Sequence, residues 1–112
     1  MRIWDISPEK LCRQHLLGEH RELHAIWVVL TKGKKGYSRH PEVLRWKGKL
    51  KALYLRHAKL VREFSERGYK HHSVLKKANA TGSGVQDEFV DSYAEQARNL
   101  KNKKCGCRVI SL

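Results

Sequence analysis

The sequence predicts an all-α protein: a compact single domain of three main helices and one short one, behind an N-terminal segment that leads to the active site. Apolar residues recur at helical spacing along three stretches, and no run alternates apolar and polar residues as a half-buried strand would. The length, 112 residues, allows one domain with a single modest core.

Ser7-Pro8-Glu9 marks the first helix start, with serine as N-cap, proline at the first helical position and an acid in the first turn. Cys12, Leu16, Leu23, Trp27 and Leu30 then fall within a narrow arc of a 3.6-residue wheel and form a core-facing stripe. Beside it runs a second strip, His15, Glu19, Glu22 and Ile26. That strip puts Glu22 at the edge of the buried face, where loss of water acts on its carboxyl group. Two glycines and three lysines in residues 31–36 break the helix into a basic loop. A short helix carrying Val43, Leu44 and Trp46 follows Pro41. The next helix has its stripe at Leu50, Leu53, Tyr54, His57, Val61 and Phe64, and Gly68 stops it. Residues 76–84 read as a linker, and Phe89, Val90, Tyr93, Ala97 and Leu100 mark a last amphipathic helix. There is no internal repeat.

The charge narrows the function. Of the net +13, residues 1–31 contribute nothing, whereas residues 32–77 hold fifteen Lys/Arg against Glu42, Glu63 and Glu66. A block this basic is the electrostatic footprint of a phosphate binder. Anionic membrane or RNA would attract the same patch. Lys32, Lys34, Lys35, Arg39 and Arg45 are the candidates for contacts to a nucleic-acid backbone. Asp5, Glu9, Glu19 and Glu22 interrupt residues 1–30, so no signal peptide is expected. No stretch approaches the ~18 apolar residues of a membrane span. A monomeric, cytoplasmic, nucleoid-associated protein is expected.

Cys12, Cys105 and Cys107 are an odd set, so no disulfide framework is expected. Cys105-Gly106-Cys107 is shorter than a C-x2-C knuckle and reads as two exposed thiols in a tail. His15 with Glu19 and Glu22, or His20 with His24, could ligate a metal. One helix supplies too few ligands, however, and no second histidine-rich helix is evident, so no metal is expected. His57 lies on an apolar stripe and reads as a core histidine. Trp27 and Trp46 read as core, and Trp4 either walls the active site or closes the core.

The chemistry rests on an α-amine at Met1 and a carboxylate on the first helix. An α-amine titrates near pH ~8, about two units below lysine, so more of it is nucleophilic at neutral pH. Such an amine can attack the anomeric carbon of a sugar as the base departs. An acid must then manage the protons and stabilise the charge on the sugar. Arg2 and Arg21 flank the pair and suit the phosphates on either side of a target sugar.

Met-Arg-Ile at the start, Gln14-His15-Leu16-Leu17 and Glu19-His20-Arg21-Glu22-Leu23 resemble the phage-type pyrimidine-dimer DNA glycosylases. Tyr37…His40-Pro41, Leu44-Arg45-Trp46 and Glu63-Phe64-Ser65-Glu66-Arg67-Gly68-Tyr69 look like the bacterial and archaeal relatives. The resemblance covers roughly residues 1–75 and leaves 76–112 as a divergent linker, last helix and basic tail within one domain of residues 1–112. It implies an all-α enzyme acting without metal or organic cofactor on ultraviolet-induced cyclobutane dimers in double-stranded DNA. It implies base flipping, glycosidic cleavage through a Schiff base on the N-terminal amine, and strand nicking as an abasic-site lyase. By motif matching, Met1 supplies the amine and Glu22 the acid. Arg2 and Arg21 match phosphate contacts, and His15 matches a histidine near the reacting sugar.

Three departures stand out. Met1 replaces a small hydroxyl residue, and Arg21-Glu22-Leu23-His24-Ala25 lacks one arginine of the phage pattern. The aromatic-rich phage C-terminus has no match in Lys101-Asn102-Lys103-Lys104-Cys105-Gly106-Cys107. Two rivals remain open: an abasic-site lyase or glycosylase for another lesion, and a non-catalytic basic nucleic-acid-binding protein.

Overall fold

The computed structural model describes residues 2–33, 39–71, 74–103 and 107. Among them are four helices and no strand: α1 (Arg13–Lys32), α2 (Pro41–Leu44), α3 (Leu50–Glu66) and α4 (Tyr93–Asn102). The all-α expectation holds.

The main packing is α1 against α3. From α1, Leu16, Leu23, Ile26 and Trp27 are buried, and from α3, Leu53, Leu60 and Phe64. These rows recur every three or four residues, so each helix turns one apolar stripe to the other. Trp46 and Val43 close one side of the core, and Ala97 and Leu100 of α4 another.

Three boundaries differ from the sequence reading. The Ser7-Pro8-Glu9 signal starts only a single 3-10 turn, Pro8–Lys10. Leu11 then adopts an extended backbone and is buried, while its carbonyl accepts from Arg67 Nη2 at 2.6 Å. That tertiary tie outweighs the local helix signal, and α1 begins after Cys12. At the far end α1 stops at Gly33, whose left-handed backbone (φ 63°) suits a residue without Cβ.

α4 starts later than its apolar pattern, because Ser92 caps it by accepting from the Glu95 amide at 3.2 Å. Ser92 Oγ also bonds the Glu95 carboxylate at 3.1 Å, which ties the cap to the first turn. Phe89 and Val90 consequently lie outside the helix and are exposed.

The third difference concerns residues 76–84, which dock rather than link. The first amides of a helix lack intrahelical acceptors, and here the Lys51 and Ala52 amides donate to the carbonyls of Thr81 (2.8 Å) and Ser83 (3.1 Å). The Ser83 amide returns a bond to Gly48 O at 3.0 Å. Gly82 sits between them at φ +80°, and a Cβ there would run into the Gly48 carbonyl. Gly82→Ala therefore combines positive-φ strain with a backbone clash, and we expect a loss of about 2 kcal/mol or more. Urea denaturation of the variant measures it.

Candidate active site

Residues 2–6 take no regular secondary structure, yet every helix fastens them. Three consecutive amides donate to buried side chains: Ile3 to Glu42 Oε1 (3.2 Å), Trp4 to Glu19 Oε1 (3.0 Å) and Asp5 to Gln96 Oε1 (2.8 Å). Two carbonyls of the same segment accept from arginines, Ile3 O from Arg45 (2.9 Å) and Ile6 O from Arg56 (2.9 Å). Acceptors from α1, α2 and α4 and a donor from α3 thus do for this segment what a neighbouring strand does in a sheet.

The anchors are themselves tightly held. Glu19 is buried and receives Arg56 through both oxygens at 2.7 and 2.8 Å. Burial pushes its carboxyl pKa up, with the Arg56 guanidinium pulling the other way. Glu42 Oε1 takes Arg45 and Trp46 Nε1 as well as the Ile3 amide. Gln96 donates to Asp5 Oδ2 (2.9 Å) and Asp91 O (3.0 Å) while accepting from the Asp5 amide.

The pinned segment forms one wall of a cavity of about 570 Å³. Arg2 and Trp4 line it from the segment, and His15, Gly18, Glu19 and Glu22 from α1. Asn99 and Asn102 of α4, with Lys103 just beyond it, complete the wall. The strip of His15, Glu19 and Glu22 seen in the sequence therefore does face one site, and Trp4 both walls the cavity and closes the core at 5 % exposure. Its indole stands edge-on to the His15 ring, centroids 5.8 Å apart, with Arg2 over its face at 4.8 Å. Burial, and then the charge of Lys103, lower the His15 pKa, which favours the neutral imidazole.

The cationic candidates divide. Arg2 is half-buried in an ion pair with Asp91 (2.7 Å), so contact with a phosphate would exchange one anion for another. Arg21, Lys32 and Arg39 are exposed, and Arg21 does not line the cavity. Arg45 corrects the sequence reading. Its side chain is 4 % exposed and engaged by Glu42, Asp5, Ile3 O and Glu88 O, so it braces the interior. Arg56 and Arg67 likewise turn inward, onto Glu19 and Glu63. Part of the basic block is thus structural. Met1, Lys34, Lys35 and Cys105 lie outside the described residues.

Two expectations about metal ligands and thiols change as well. Cys107 is partly buried, with Sγ 3.3 Å from His15 Nδ1, and Cys12 Sγ lies 3.1 Å from the same nitrogen. His57, in the core as expected, meets His20 and His24 rather than apolar side chains alone, and His71 joins them.

Sequence reasoning missed Gln96, Asn99, Asn102 and Lys103, all from the region of α4. A buried amide has no periodic signal that separates it from a solvated one.

The structure thus combines an acid-bearing cleft, walled by a fastened N-terminal segment, with a basic helical scaffold, the features of a protein class that handles an anionic polymer. The chain belongs to the pyrimidine dimer DNA glycosylase family, whose model matches residues 1–77. No curated protein and no solved structure matches the chain. The matched region contains Arg2, His15, Arg21 and Glu22, whereas α4 lies beyond it. None of the helices among the described residues is long and apolar enough to cross a membrane.

Proposed function

We propose that the protein is a DNA glycosylase with abasic-site lyase activity, acting at cyclobutane pyrimidine dimers in double-stranded DNA. The observation that carries this reading is the convergence of Arg2, His15 and Glu22 on one cavity at the end of a fastened N-terminal segment.

The Met1 α-amine attacks C1′ of the damaged nucleotide, and the bond from C1′ to the base breaks. The C1′–O4′ bond then breaks, O4′ takes up a proton and stays on the sugar as the C4′ hydroxyl, and a protonated imine is left between the amine and C1′. Glu22 stabilises the cationic sugar and moves the protons. The imine acidifies C2′, so removal of that proton expels the 3′ phosphate by β-elimination. Water then hydrolyses the imine and returns the amine. Fastening residues 3–6 on both sides holds one wall of the cavity in place, and a fixed arrangement of reacting groups accelerates a reaction. Neutral His15 beside the cavity can donate a hydrogen bond to a sugar or phosphate oxygen.

Arg21, Lys32 and Arg39, with Lys34 and Lys35, supply contacts to the DNA backbone. Lys32→Ala combined with Arg39→Ala should weaken binding to damaged and undamaged duplex alike. Each lost phosphate contact lowers the slope of log K against log salt by about 0.9. Fluorescence anisotropy over a salt series measures both effects. Arg45→Ala, in contrast, should lower the melting temperature.

Incubating the protein with duplexes that carry one thymine dimer, one abasic site or no lesion tests the reading. Incision of the dimer and abasic duplexes only is expected. Incision of the abasic duplex alone would move the substrate to an abasic site, and incision of neither would leave a non-catalytic DNA-binding protein.

A further inference from the structure

On the flank of α1 turned away from the Glu22 cavity, four imidazoles meet. His20 and His24 lie one helical turn apart on α1, His57 comes from the buried face of α3, and His71 from the segment after α3. We propose that His20, His24, His57 and His71 form a structural zinc site, each binding the ion through Nε2.

Four of the six donor separations bear on the geometry. His20 Nε2 lies 3.2 Å from that of His24, 3.3 Å from that of His57 and 3.1 Å from that of His71, and His24 and His57 are 3.1 Å apart. A Zn–N bond of about 2.0–2.1 Å sets the edges of a tetrahedron at about 3.3–3.4 Å. In a square plane each donor has only two near neighbours and a third about 4.1 Å away across the ion. His20 has three near neighbours, which rejects the plane. All four donor atoms lie within 4.8 Å of one another.

Hydrogen bonding among the rings is a poor alternative. An imidazole nitrogen offers one proton or one lone pair, so His20 Nε2 cannot be well matched to three other ring nitrogens at once. A cation at the centre serves all four lone pairs together.

Four protein ligands leave no open position, so the ion is a staple rather than a catalyst. It joins α1, α3 and the segment after α3, and Phe64 shields it with its ring centroid 5.0 Å from that of His20. Chemistry at the Glu22 cavity needs no metal on this account. Imidazole donors suit zinc, copper and nickel alike, and the closed tetrahedron selects zinc, which has no geometric preference of its own to oppose it.

The test loads the full chain with zinc, removes the excess by dialysis and measures bound metal and melting temperature for three forms. Wild type should retain one zinc at this site and melt about 5 °C or more above its chelator-treated form. His71→Ala should lose that zinc and that increment, and His24→Asn should do the same. Cys12→Ser should keep both, because it alters only the separate group formed by Cys12, His15 and Cys107. Cobalt in place of zinc should give the visible bands of a tetrahedral ion, without thiolate charge-transfer absorption in the Cys12→Ser form. Wild type without zinc, or zinc unaffected by both histidine replacements, overturns the site. So does zinc lost only with Cys12→Ser, which would place the ion on the thiol group instead.

Discussion

Glu22→Gln should lower incision at a thymine dimer by about 10²–10⁴-fold and leave the melting temperature almost unchanged. The amide keeps the size and polarity of the side chain but cannot take up or release a proton at neutral pH. Each tenfold loss corresponds to about 1.4 kcal/mol of transition-state stabilisation, so the range spans about 3–5.5 kcal/mol. Glu22 is only partly buried, which is why stability should survive. Single-turnover cleavage isolates the chemical step, and anisotropy on an uncleaved duplex should show binding close to wild type. A Glu22→Gln protein that incises at the wild-type rate removes Glu22 from the mechanism.

Glu19→Gln should act in the opposite way, through the fold first. Glu19 is fully enclosed, pairs with Arg56 through both oxygens and accepts the Trp4 amide. Removing its charge leaves the Arg56 guanidinium uncompensated in the interior, a loss of about 3–5 kcal/mol. Against a total stability of about 5–15 kcal/mol that is a large fraction, and the melting temperature should fall by about 10 °C or more. Glu19→Leu combined with Arg56→Leu separates the two roles of this residue. Replacing both charges should recover much of the stability. Incision should stay low because the Trp4 amide still lacks its acceptor. A double variant that regained stability and full activity would show that the anchor does not position the terminus.

The sequence carried the helices and half of the site. The stripes of α1 and α3 are visible because burial repeats every three or four residues, and His15, Glu19 and Glu22 share a strip for the same reason. The tertiary polar contacts were hidden. Nothing local distinguishes Arg45, gripped by Glu42 and Asp5, from an exposed arginine such as Arg39, so charge counting placed both on the DNA surface. Gln96 reaches Asp5 across 91 positions of the chain, and no spacing rule links residues so far apart. His57 read correctly as buried, but its meeting with His20, His24 and His71 depends on how α3 crosses α1. Ser7-Pro8-Glu9 misplaced the start of α1 because the Leu11 carbonyl is claimed by Arg67 from the far end of α3.

The mechanism turns on which amine is the nucleophile. At pH 7 roughly a tenth of an ordinary α-amine is unprotonated, against less than about a thousandth of a lysine amine, which favours the terminus over the many lysines of this chain. Borohydride added during reaction with a thymine-dimer duplex reduces the imine to a stable amine, and peptide mass mapping finds its position. One DNA adduct is expected, on the α-amine of Met1, absent when that amine is acetylated beforehand. An adduct on a lysine side chain, or incision undiminished by acetylation of the terminus, would contradict it.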